Sequence, residues 1–297
     1  MVAVDIPLVL LALAVRVTEP DHMHAFEAVK LLQQDKKVFV PSPAARTIEE
    51  SRILFAEAQK RPGCLAVGDV GPVQSSDRQT EERIREFGRV TSVTVSSGTK
   101  MPYLGTSRPP AARSWTDACP NSAAWMRWIG VMPLRPYYPL YVENEGWRAF
   151  LDFGTGPLGL DGARLMRPVF RVLALGVPEY AERISVRGAS PDRETYPQAA
   201  EVRFVFRGGF ELVWRHGPDV ETSLVWRNDC GDEVTTRPSA SVSVAEQLAA
   251  LDHGDLLPVE AVALTETVLL GCRAMMTDRR VTIADCEKRY MREGWEW

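Results

Sequence analysis

Asp161, Arg164 and Arg167 place a carboxylate and two guanidinium groups in one short stretch of the chain. A guanidinium offers paired donors that match a carboxylate or phosphate, so the group is a candidate pocket for an anionic ligand; a salt-bridged helix start is the structural alternative. His22 and His24 flank Met23 on what reads as a strand-to-helix turn. Imidazole titrates near neutrality and moves protons readily, but a helix cap and a surface imidazole account for the same pair. His216 falls at a strand end and His253 in an Asp-His-Gly-Asp turn, neither with a partner that the sequence identifies. The aromatic residues Trp125, Trp128, Tyr137, Tyr138, Tyr141 and Trp147 have flat apolar faces able to stack on a sugar ring, and are equally suited to packing a long loop or an oligomer interface. Asp152 to Pro157 forms a glycine-bearing turn without the Lys-Ser/Thr ending of a phosphate loop.

The elements that must position these residues fall into two styles. The apolar run Ile6 to Val15 reads as a buried parallel strand rather than an export signal, because no basic region precedes it and Asp5 and Pro7 stand in front. It is also far short of the roughly 20 residues that cross a bilayer. A helix over 24–33 capped by Asp21, a strand at 37–40, a helix opened by the capping-box pair Thr47 and Glu50, a strand at 65–67 and a helix over 78–87 follow. Strand and helix alternate, which implies a parallel sheet. From Val90 the period changes to strand alternation. Residues 101–120 read as a Pro-, Ser- and Arg-rich surface excursion, and strands are predicted at 183–187, 201–206, 210–216 and 222–227, with Gly208-Gly209 as a hairpin turn. A closing helix over 258–275 carries Ala261, Leu264, Val268 and Leu269 on one face.

With 297 residues, 45% hydrophobic and 25% charged, the chain is in the globular range and long enough for about two domains. A net charge of -4 and the lack of any basic stripe argue against nucleic acid as a partner, and no stretch argues for a membrane. Five cysteines, odd in number and without a CxxC pair, suit reduced thiols in a cytoplasmic protein and give no reason to expect a metal.

Several motifs, in order, resemble those of the Gfo/Idh/MocA family of nicotinamide-dependent sugar oxidoreductases. Thr18 to Ala25 is similar to the family's Thr-Pro-Asp-His-x-His turn with Glu19 added, and Val38 to Glu50 to the stretch around its Glu-Lys-Pro motif. Trp125-x-x-Trp128-x-Gly130, Asp152-Phe153-Gly154-Thr155-Gly156 and Thr265 to Gly271 are similar to one branch of the family. The resemblance implies a fold: a truncated Rossmann-like α/β piece over residues 1–90, then an α+β domain on a mostly antiparallel open sheet over 91–297, whose open face family members use to form oligomers.

The departures shape the functional expectation. The family's proton-transferring Lys falls at Ser42, and its Asp-x-Gly-x-His segment reads Leu160-Asp161-Gly162-Ala163-Arg164. An arginine stays protonated and cannot serve as a general base near neutral pH, and a serine hydroxyl without an activating base accepts protons poorly. No glycine precedes Gly63, so the glycine-rich turn for a dinucleotide pyrophosphate is missing from this sequence and no cofactor is expected. The expectation is therefore a degenerate homologue: a pseudoenzyme or accessory, oligomerising subunit with a sugar-like ligand pocket lined by Trp125, Trp128, Tyr137, Trp147 and Arg167. One alternative is a cofactor-independent lyase, isomerase or cyclase on a small polar metabolite, with Asp161, His22 or His24 moving protons and Arg164 stabilising negative charge. Another is an oxidoreductase completed by a second chain, such as a full-length homologue.

Overall fold

A computed structural model describes residues 15–18, 20–68, 75–107, 119, 121–237, 243 and 259–290. Most of the apolar run 6–15, much of the 101–120 excursion, and His253 lie outside these.

The first part alternates strand and helix as expected: β1 (Val15–Arg16), α1 (Asp21–Leu32), β2 (Val38–Val40), α2 (Ile48–Gln59), β3 (Leu65–Val67) and α3 (Ser75–Glu86). The three strands pair in parallel in the order β1-β2-β3. Val38, Val40, Leu65 and Val67 bury one side of this sheet with Ala25, Ala28 and Leu32 of α1 and Leu54 and Phe55 of α2. The capping box is formed in full: Glu50 N donates to Thr47 Oγ1 at 3.1 Å and Thr47 N to Glu50 Oε2 at 3.2 Å. Asp21 is not the cap of α1. Pro20 occupies that position, and Asp21 is the first helical residue with its side chain used elsewhere.

The larger sheet is built from β4 (Val90–Ser97), β5 (Tyr180–Arg187), β6 (Ala199–Val205), β7 (Glu211–His216), β8 (Ser223–Asn228) and β9 (Glu233–Thr236), in the order β5-β6-β7-β4-β8-β9. Every pair is antiparallel except β4 with β7. Gly208 and Gly209, both at positive φ, turn the β6–β7 hairpin. Strand alternation sends Val93, Val95, Val202, Phe204, Leu212, Trp214, Leu224 and Trp226 to one face. That face is covered by α6 (Gly156–Leu173) and α7 (Val259–Met275), through Leu158, Leu165, Val169, Leu264 and Val268. Among the described residues no helix covers the opposite face, which carries cross-strand ion pairs, among them Arg203 with Glu182 and Glu211, Arg215 with Glu201 and Arg227 with Glu233.

Between the sheets run α4 (Ser122–Ile129), the short α5 (Pro139–Val142) and a 3-10 segment (Glu143–Ala149); α8 (Ile283–Tyr290) closes the described chain. The parts are interleaved. Ile84 of α3 packs into the larger core, while Ala261 and Leu269 of α7 reach back into the smaller one.

Candidate functional site

In open sheets with parallel strands, ligands bind where the strands end at their carboxyl termini. Here that edge is formed by Pro20 to His24 after β1 and Pro41 to Arg46 after β2, and it faces the aromatic segment and the start of α6. Three alternate residues of the turn before α6 tie the two sides together. Arg46 Nη1 donates to Leu151 O at 3.3 Å, His22 N to Phe153 O at 3.2 Å, and Thr155 Oγ1 to Asp21 Oδ2.

Both histidines of the turn are buried, His22 at 1% and His24 at 3% exposure, so neither is a surface imidazole. The reason is tertiary: the aromatic segment folds over the turn, which no local pattern announces. His22 Nε2 lies 3.0 Å from Trp128 O, and against a carbonyl this nitrogen must carry the proton. The ring packs between Trp128 and Phe153, at centroid distances of 5.4 and 5.2 Å. Nδ1 is buried without a hydrogen-bond partner. Burial holds His22 down at about 4, with the Arg46 charge adding to the effect, so it is neutral near pH 7. His24 Nδ1–H donates to Pro43 O at 2.7 Å. Asp21, 2% exposed, receives the Thr155 hydroxyl on Oδ2 while Oδ1 has no partner; burial raises its pKa against the pull of His24, Thr155 and Arg148. Cys272 Sγ donates to Thr155 O at 3.2 Å, and its burial pushes the thiol up to about 12.

Ser42 sits at the exit of β2 and gives its hydroxyl to Gly68 O. The hydroxyl and the His24 ring are therefore turned to different backbone carbonyls, which does not make a nucleophile and base pair. Asp161 and Arg164 lie apart from this turn, on α6 facing the end of β4. Asp161 Oδ2 accepts from Ser97 Oγ at 2.7 Å and from Thr99 Oγ1, and Oδ1 pairs with Arg164 at 2.8 Å. Both carboxylate oxygens are thus committed within the chain. Arg167 is fully buried on the same helix.

The aromatic residues form a core of their own with Phe150 and Phe153. Trp125 stacks on Trp128 at 5.1 Å and on Tyr141 at 6.0 Å, meets Tyr137 edge-on, and donates Nε1–H to Arg135 O at 2.9 Å. Trp147 lies under the Arg148 guanidinium at 4.3 Å. Trp128 and Tyr137 are the partly exposed members of the set expected to line a pocket; Trp125 and Trp147 are buried. His216 is also buried, accepting from Trp214 Nε1 on Nδ1 and facing Pro197 O with Nε2. The sequence reading missed Asp21 and Thr155 as partners. Their only local signal was an acidic residue at a helix start, which reads as a cap.

The described residues do not fit a dinucleotide at the two helix starts on this edge. A pyrophosphate needs free first-turn amides. At α1, His22 N is taken by Phe153 O and Met23 N by Pro20 O, and the buried Asp21 stands beside them; at α2, the capping box closes the turn. Among the described residues no group of three or more His, Cys, Asp or Glu is placed to hold a metal, and no helix is long and apolar enough to cross a membrane.

Over 94% of its length the chain is similar to GenD2 from gentamicin A biosynthesis, solved with NAD, at a TM-score of 0.59 and 15% identity, covering 82% of that chain. It is similar over 91% to the WlbA dehydrogenase of Bordetella pertussis, solved with NADH and UDP-GlcNAcA, at 0.59 and 13%, covering 79% of that chain. The chain has their fold. It is likewise similar over 88% to biliverdin reductase from Synechocystis, solved with biliverdin and NADP+, at 0.54 and 16%, covering 78% of that chain. No family model and no curated protein matches the sequence. Likeness at such low identity shows the fold alone, and these three structures, with such different ligands, leave the chemistry to be argued from this chain's own residues.

Proposed function

We propose that this protein keeps the architecture of a sugar oxidoreductase but works without hydride transfer, as a pseudoenzyme or accessory subunit that binds a small polar ligand. The observation that carries the reading is the state of the motif positions. Where the resemblance would put a Lys, Ser42 is tied to Gly68 O; where it would put a His, Arg164 is paired with Asp161, itself held by Ser97 and Thr99. None of these groups is poised to give or take a proton. The closed starts of α1 and α2 accord with a chain that holds no dinucleotide there. The rim offered by Trp128 and Tyr137 suits a sugar-like ligand, and the uncovered face of the larger sheet suits self-association or pairing with a full-length homologue. Free thiols throughout accord with a reducing, cytoplasmic setting.

Isothermal titration of the purified full chain with NADH and NADPH, alongside its mass by light scattering, tests this. The expected result is no binding and a mass above that of one chain. Stoichiometric binding at micromolar strength would overturn the proposal. Cofactor-independent catalysis is the weaker reading, because Asp161 has no free oxygen and His22 is enclosed; turnover abolished by Asp161→Asn would restore it.

A further inference from the structure

His22 is gripped from two sides. From α1 its neighbour Met23 fills the space beside Gly130 at the end of α4, where a Cβ would lie 2.1 Å from the Met23 sulfur. From α4 and the stretch before α6, Trp128 O takes the Nε2 proton and the Trp128 and Phe153 rings enclose the imidazole. Trp125 and Ile129 of α4 belong to the small aromatic core rather than to either sheet's core. Helix α4 is thus anchored to the aromatic core by Trp125 and Ile129, and meets the start of α1 through Trp128 on the His22 ring and Gly130 on Met23.

That ring has no place for a second proton. Nδ1 is buried and meets no acceptor. The charged groups about it are Asp21 and His24 on its own helix, Arg46 from the loop after β2, and Arg135 and Asp152 beside Phe153; Arg127, the charge on α4, is exposed. Asp21 spends one oxygen on Thr155, Asp152 is paired with Arg135, and the Arg135 guanidinium lies 5.1 Å from the Phe153 ring centroid. An imidazolium here would be an enclosed cation with the Arg46 charge acting against it and an N–H left unpaired. We infer that α4 is a proton-sensitive flap: a second proton on His22 releases α4 from α1 and opens the carboxyl-end edge of the parallel sheet to solvent. The inference concerns access to that edge and stands whether or not the edge binds a sugar-like ligand. Burial that disfavours the charged ring in the docked state means that acid favours the undocked one.

Hydrogen exchange by mass spectrometry on the full chain at pH 7 and pH 4.5, corrected for intrinsic rates, reads the flap directly. Amides of 122–130 are expected to lose protection at least tenfold at the lower pH while those of β4 and β8 keep theirs. His22→Gln, which still donates to Trp128 O but does not titrate, is expected to abolish the difference. Histidine-selective NMR on the unaltered chain gives the second reading, in which the His22 titration and the loss of α4 protection share one midpoint. Equal protection of 122–130 at both pH values, simultaneous loss across β4 and β8, or separate midpoints would each overturn the inference.

Discussion

Protonating His22 has a thermodynamic consequence apart from any flap motion. Its folded-state pKa is depressed from 6.5 to about 4, so between those values the unfolded chain binds more protons than the folded one. The stabilising contribution is complete above pH 6.5 and is lost as pH falls towards 4, up to a ceiling of about 3 kcal/mol. Asp21 and Glu50 act in the opposite direction. Their buried carboxyls have raised pKa values, so their contribution is present at low pH and lost as pH rises. The expected result is that wild type loses more stability than His22→Gln between pH 7 and pH 4.5, read by urea denaturation, with the difference reporting His22 alone. His22 and His24 were legible as a pair on a turn, but their burial was not, because it comes from an aromatic segment about a hundred residues away in sequence.

Among the elements, α6 depends on one backbone position. Gly156 opens the helix at φ +64°, and a Cβ there would lie 2.6 Å from the Tyr196 ring, itself buried. Gly156→Ala meets both a left-handed backbone and a ring with little room to yield, so a loss of about 2 kcal/mol or more is expected in thermal or urea unfolding. The helix α2 shows the opposite case, in which local chemistry was sufficient: Thr47 and Glu50 announce the cap, and the structure forms both halves of it. Gly208-Gly209 likewise marks its hairpin. What local pattern did not reveal was strand partnership. The alternation of 90–97 and 211–216 identifies two strands but says nothing of their parallel pairing at the centre of the sheet. The first turn of α6 was hidden by Gly156, Pro157 and Gly159, residues that read as a loop although proline is at home in a first turn, whereas Asp161 and Arg164 already suggested a helix start. The pairing of Asp161 with Arg164 was within reach of the sequence; its bonds to Ser97 and Thr99 were not, since they join residues more than sixty apart.

At the scale of the whole molecule, one helix is shared between the cores of the two sheets. Helix α7 gives Ala261 and Leu269 to the core of the parallel sheet and Leu264, Val268 and Leu270 to that of the larger sheet. A fragment of residues 1–88 keeps β1 to α3 but lacks those side chains and the Thr155 partner of Asp21. It is expected to show no cooperative unfolding transition by circular dichroism; a fragment that melted cooperatively would mean that the parallel piece is self-sufficient. The shared helix also sets a timetable for synthesis. Residues up to 88 leave the ribosome well before Met275 is added, a wait of roughly 10–40 s at the about 5–20 residues per second of translation. Throughout that interval Leu54, Phe55 and their neighbours lack part of their cover, so the nascent chain presents apolar surface, and slower translation lengthens that exposure.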